Sequence, residues 1–253
     1  MSASRPVSKH DCLLPAGQTK IVSCQRERKL ANFDVRMIIG LANSKGGVGK
    51  SALAKNILVY LNDRHALTAL VDAEKGAPTA RLLKKYDESL ETRGAETLEE
   101  IDDAVSDFSS RGFHVIIDAP GKEGDQVSTL CLLSDLVIIP ICISEQDVLQ
   151  TVSIIKLVLR QQKRSHGKPE AVIVFTRTLK NDIGIPLFEK SLSKLGIPIA
   201  KSRIREMIAV KRNVTVMRDE IFYRNNGVAN DFKNLIEEVI IPRTVKSNRA
   251  GNE

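Results

Sequence analysis

Seven consecutive residues, Lys45-Gly46-Gly47-Val48-Gly49-Lys50-Ser51, combine three glycines, two lysines and a hydroxyl at a spacing suited to holding a chain of phosphates. Glycines let the backbone curl until successive N–H groups point inward, and a helix that starts there adds the positive end of its dipole. Val48 and Ala52 belong to the same candidate site. Lys50 is spaced to reach the outer phosphates, and the Ser51 hydroxyl to ligate Mg2+. Two further segments supply carboxylates. The apolar run His114-Val115-Ile116-Ile117 ends in Asp118, a candidate Mg2+ ligand, and Gly121 follows three residues on with an N–H able to sense a terminal phosphate. Asp72 and Glu74 end another apolar run. Either is a candidate for positioning an attacking water, and Asp72 is also a candidate for the metal.

These residues need a scaffold that brings strand ends together. Met37–Ala42, Ala66–Asp72, His114–Asp118, Leu136–Ile141 and Ala171–Phe175 are short, nearly continuous apolar runs, the pattern of strands covered on both faces. Helical spacing separates them: Ser51–Leu61 follows the glycine-rich segment, Leu98, Ile101, Val105 and Phe108 line one helix face, and Val148–Leu159 leads into the basic run Arg160–Arg164. The alternation predicts an α/β fold, a mainly parallel sheet flanked by helices on both faces, with ligands at the C-terminal ends of the strands. Residues 1–36 read as a flexible basic arm, 37–241 as the folded domain and 242–253 as a polar, frayed tail. Asp231–Ile241 is amphipathic, and Glu237 and Glu238 within it favour docking on its own domain over lying on lipid.

Composition narrows the classes further. No apolar run reaches the roughly 18 residues of a membrane span, and residues 1–36 lack the apolar block of a signal peptide. The four cysteines and four histidines show no metal-ligand spacing, and the cysteines fit reduced thiols in a cytoplasmic protein. The net charge of +7 is uneven: seven basic residues against three acidic in 1–36, eleven against eighteen in 37–150, and twenty against ten in 151–253. A basic C-terminal half suits a polyanion such as nucleic acid. Aromatics make up 4% and Trp is absent, which argues against a base-stacking platform.

The segment Lys45–Ser51 resembles the deviant Walker A motif of the ParA/MinD superfamily of P-loop ATPases, with Lys45 as its additional lysine. Val71-Asp72-Ala73-Glu74 resembles the family's first switch, Ser134–Pro140 with Ser144–Asp147 its Ser-Asp-x-hydrophobic-Pro strand and loop, and Ile173–Arg177 its base-binding strand. The likeness runs from about Ile38 to Ile221 and is nearest to small plasmid-partition ParA proteins without an N-terminal DNA-binding domain. It implies ATP and Mg2+ as ligands, Lys45 reaching the partner's phosphates in a nucleotide-sandwich homodimer, and Thr176 and Arg177 near the base. It also implies slow hydrolysis, stimulated by a ParB-like protein on the cargo. One departure stands out: Glu74-Lys75-Gly76 replaces the usual Asp-Pro-Gln, and the longer carboxylate is expected to slow water activation.

In this family the ATP dimer binds DNA without sequence preference. The matching region holds Lys201, Arg203, Arg205, Lys211, Arg212 and Arg218, and phosphate contacts of this kind are strongly salt-dependent. The resemblance implies segregation of plasmid or chromosomal DNA by a cytoplasmic, nucleoid-associated ATPase. Its rivals are positioning of a protein cargo or help in conjugative transfer, a MinD-like membrane-surface ATPase, a metabolic P-loop enzyme, and a weakly hydrolysing nucleotide switch.

Overall fold

The computed structural model describes residues 33, 35–120, 125–143, 145–179, 182–206 and 227–245. Their strands are β1 (Ile38–Leu41), β2 (Thr68–Asp72), β3 (Glu91–Gly94), β4 (His114–Asp118), β5 (Leu136–Ile141), β6 (Glu170–Thr178) and β7 (Ile204–Arg205). The helices are α1 (Lys50–Asn62), α2 (Pro78–Tyr86), α3 (Leu98–Ser110), α4 (Asp125–Leu133), α5 (Glu145–Arg164), α6 (Ile185–Leu192), α7 (Gly227–Val239) and the single turn α8 (Ile241–Thr244). The strands form one sheet in the order β3-β2-β4-β1-β5-β6-β7, and every pairing is parallel.

Strand alternation builds two cores. Ile39 and Leu41, Leu70, Ile116, Ile138 and Val174 face the layer formed by α1, α2 and α7. Val71, Ile117, Val137, Ile139 and Phe175 face the layer formed by α3 to α6. The continuous apolar runs in the sequence follow from this double covering. Gly40 marks the tightest approach, because a Cβ there would collide with Leu130 and Ser134 of the α4 layer.

Two strands lie outside the five apolar runs. β3 has the sequence Glu-Thr-Arg-Gly and no apolar residue, because it is an edge strand held to β2 through its backbone. β7 has two residues at the other edge. The amphipathic segment near the C-terminus docks on its own domain: Phe232, Leu235, Ile236 and Val239 are buried in the first core. Glu237 accepts a hydrogen bond from the Tyr60 hydroxyl at 2.7 Å, and Glu238 accepts from the Lys201 and Ser202 N–H groups at 2.7 and 2.8 Å.

The ordered unit extends past the expected boundaries at 36/37 and 241/242. The Val35 N–H donates to the Thr244 carbonyl at 3.0 Å, Thr244 is fully buried, and Phe33 stacks edge-on to His114. Pro242–Thr244 is therefore helical where fraying was expected. The rest of the expected arm and tail lies outside the described residues. Among those described, no helix is long and apolar enough to cross a membrane.

Candidate nucleotide site

Register places the site. Asp118 at the end of β4 lies beside Leu41 of β1 on one side and Asp72 of β2 on the other. The glycine-rich loop therefore leaves β1 directly beside two carboxylates. Gly47 (φ +78°) and Gly49 (φ +97°) adopt the left-handed backbone that only glycine takes without strain.

Protein donors hold the loop from outside. The Thr176 hydroxyl donates to the Val48 carbonyl at 2.7 Å, and the Arg177 guanidinium donates to the Gly47 carbonyl at 3.3 Å. Asn43 anchors the loop's start, accepting from the Lys45 N–H at 3.0 Å and donating to the Pro140 carbonyl at 2.7 Å and the Thr151 hydroxyl oxygen at 3.2 Å. With these carbonyls engaged, amide N–H groups are what the loop offers an anion. The buried Lys50 ammonium bonds the Lys45 carbonyl at 3.0 Å. Burial pulls its pKa below the usual lysine value, against the opposing charges of Asp118 and Glu74.

The carboxylates divide the work. Asp118 is buried; its Oδ2 accepts from the Thr79 hydroxyl at 3.0 Å, and its Oδ1 has no hydrogen-bond partner. Burial, reinforced by the Asp72 charge, pushes its pKa up to about 6. Asp72 is also buried, and both its oxygens take backbone donors: Oδ2 accepts from Thr79 and Ala80 at 2.8 and 3.0 Å, and Oδ1 from Glu74 at 3.1 Å. Ala77, the N-cap residue of α2, has no side chain able to cap; Asp72 caps the helix from the neighbouring strand. Burial raises the Asp72 pKa and those bonds oppose the rise. Glu74 sits exposed on the turn between β2 and α2, as does Ser51 at the start of α1.

A buried carboxylate oxygen without a partner, next to the helix that starts with Lys50 and Ser51, fits Mg2+, which takes one or two protein ligands and completes its shell with phosphate oxygens and water. Asp118 and Ser51 are the residues that fit this role. Asp72 does not suit direct ligation, because its oxygens are committed to the α2 cap.

The basic residues are placed differently. Arg205 forms a bidentate pair with Asp231 at 2.7 and 2.8 Å, and Arg203 pairs with Glu189 at 2.7 Å. Lys201 is exposed. Lys211, Arg212, Arg218 and Gly121 lie outside the described residues. Sequence reading missed Asn43, Thr79 and Glu206, which accepts from Arg177 at 3.0 Å. Only Asn43 carried a local signal, as a polar residue where the apolar run of β1 ends.

Together the parallel sheet and the loop define a P-loop nucleotide-binding protein. A model of the CobQ/CobB/MinD/ParA nucleotide binding domain matches residues 39–221, and the chain belongs to that family. It is 22% identical over 209 residues to the maintenance of carboxysome distribution protein A of Halothiobacillus neapolitanus, covering 80% of this chain and 95% of that one. An ATP complex of a McdA variant from Cyanothece has the same fold, with TM-score 0.62, 16% identity, and 84% of this chain and 98% of that chain covered. A putative plasmid partition protein of Borrelia burgdorferi bound to AMPPNP matches with TM-score 0.56 and 17% identity, over 80% and 97% of the two chains.

Proposed function

We propose that this protein is an ATP-switched homodimer that distributes a large cargo along DNA. The observation that carries the reading is the buried pair Lys50 and Asp118, a cation and an anion held beside a loop whose glycines have positive φ. Gly46, Gly47, Val48, Gly49 and Ala52 cradle the phosphates through their backbone, and Lys50 holds the outer ones. Thr176 and Arg177 tie the loop to β6, the strand expected near the base. Bound Mg2+ supplies charge neutralisation at the outer phosphates, with Ser51 and Asp118 as its protein ligands.

Glu74 is the better candidate for orienting the attacking water, since Asp72 is committed to capping α2. Its replacement of the family's aspartate keeps hydrolysis slow until a cargo-bound partner stimulates it. Lys45 completes the partner's phosphate site across the dimer. Two readings of the cargo remain. The plasmid partition protein among the similar structures supports DNA, and the carboxysome distribution relative supports a protein cargo. The DNA surface is expected to lie beyond the paired Arg203 and Arg205. Lys156, Arg160, Lys163 and Arg164 on α5 are exposed and have no ion pair among the described residues, so they are available to phosphates.

The test is retention on sequence-unrelated duplex DNA with ATP, ADP or no nucleotide, alongside the molecular mass in each state. ATP-only retention that falls steeply with salt, and ATP-only dimerisation lost in Lys45→Gln, are the expected results. Equal or absent DNA binding in all three states would remove DNA as the matrix. A monomer in every state would remove the switch.

A further inference from the structure

Among the described residues, Thr79 is the one that hydrogen-bonds both buried carboxylates, and the nucleotide chemistry described above gives it no task. It lies in the first turn of α2 and is 5% exposed. Its N–H donates to Asp72 Oδ2 at 2.8 Å, while its hydroxyl donates to Asp118 Oδ2 at 3.0 Å. Asp72 thereby fixes the backbone of Thr79, and Thr79 fixes one oxygen of Asp118. A side chain in a helix has few χ1 choices, so a fixed backbone limits where the hydroxyl can lie. The remaining oxygen, Asp118 Oδ1, is buried and has no partner.

We infer that Thr79 is a positioning residue for Mg2+, turning Asp118 so that Oδ1 is presented to the metal; the inference rests on the Mg-ATP reading. Hydrogen bonds behind a metal ligand restrict its rotation, and removing them commonly lowers metal affinity by about 10–100-fold. The arrangement also has a directional consequence. Asp72 receives the Glu74, Thr79 and Ala80 N–H groups at once. A shift of the turn bearing Glu74 would therefore be felt at Asp118 through Thr79. The turn that bears the candidate water-orienting carboxylate and the metal ligand are parts of one hydrogen-bonded unit.

Calorimetric titration of Mg2+ into the full chain held with ATP tests this, with ATP binding in EDTA and the ligand-free unfolding midpoint measured in parallel. For Thr79→Val, the half-saturating Mg2+ concentration is expected to rise about tenfold or more. ATP affinity in EDTA should stay within about twofold, and Thr79→Ser should restore the wild-type requirement. An unchanged Mg2+ requirement in Thr79→Val would overturn the inference. So would an equal loss of ATP affinity with and without Mg2+, which is the signature of a packing role. If Thr79→Val does not fold, Thr79→Ala carries the same expectation and the same overturning result. Failure of the wild-type protein to bind ATP under any condition would instead overturn the nucleotide reading itself.

Discussion

Two corners of the molecule place charged side chains at the ends of parallel strands and use them in opposite ways. At the β7–α7 corner, Arg205 and Asp231 satisfy one another through two guanidinium bonds, and the Arg205 N–H adds a third bond to the same carboxylate. Their task is to hold an edge strand to a helix. At the β1–β4 corner, Lys50 and Asp118 are buried without such closure: Lys50 rests on a backbone carbonyl, and Asp118 keeps one oxygen without a partner. Unused hydrogen-bonding capacity in a buried charge is costly to the fold, and it marks where a ligand completes the structure. Charge alone did not separate the two corners. What separates them is whether the charge is already answered.

The largest expected effect tests that contrast directly. Lys50→Ala removes charge-assisted bonds to phosphate and should weaken ATP binding by roughly two orders of magnitude by calorimetry. Arg205→Ala should leave ATP binding unchanged. Comparable losses in both variants would erase the distinction between the corners.

An intermediate effect concerns pH. Folding raises the Asp118 pKa from 3.8 to about 6. Above pH 6 the folded state carries a buried charge that the unfolded chain solvates better, so the penalty is complete there. It fades as pH falls through 6 towards 3.8. Asp118→Asn removes the penalty, and in EDTA it should be more stable than wild type at pH 7 by on the order of 3 kcal/mol. That advantage should vanish near pH 4 in urea titrations at each pH. A variant less stable than wild type at pH 7 would show that the charge is already compensated.

The smallest effect lies at the other corner. Asp231→Ala leaves Arg205 and its N–H without their acceptor and should cost about 1 kcal/mol in urea unfolding, with ATP affinity unaltered. An altered ATP affinity would mean that β7 communicates with the loop. Arg177 is the residue through which it would do so, since it bonds both Gly47 and Glu206.

Much of this was legible in the sequence because it depends on local pattern. The glycines of the loop, the five apolar strands and the Asp at the end of β4 are each readable within a few residues. β3 escaped because an edge strand joined through its backbone needs no apolar side chains. The capping of α2 by Asp72 escaped because it depends on Ala77 lacking a cap, which matters only once α2 is placed. The pairing of Arg203 with Glu189 and of Arg205 with Asp231 spans 14 and 26 residues, so a count of basic residues along the chain reads both arginines as available to DNA.

The hydrogen bond between Val35 and Thr244 has a practical consequence. It places the first and last described segments side by side, at the end of the sheet where His114 begins β4, opposite the strand ends that carry the phosphate loop. In a chain trimmed to these two segments, a short linker could join them and new termini be opened elsewhere, giving a circular permutant with the nucleotide corner untouched. A fluorophore on either segment would report from the same point in space. In a dimer, the distance between two such labels would follow how the subunits swing without the dye touching ATP.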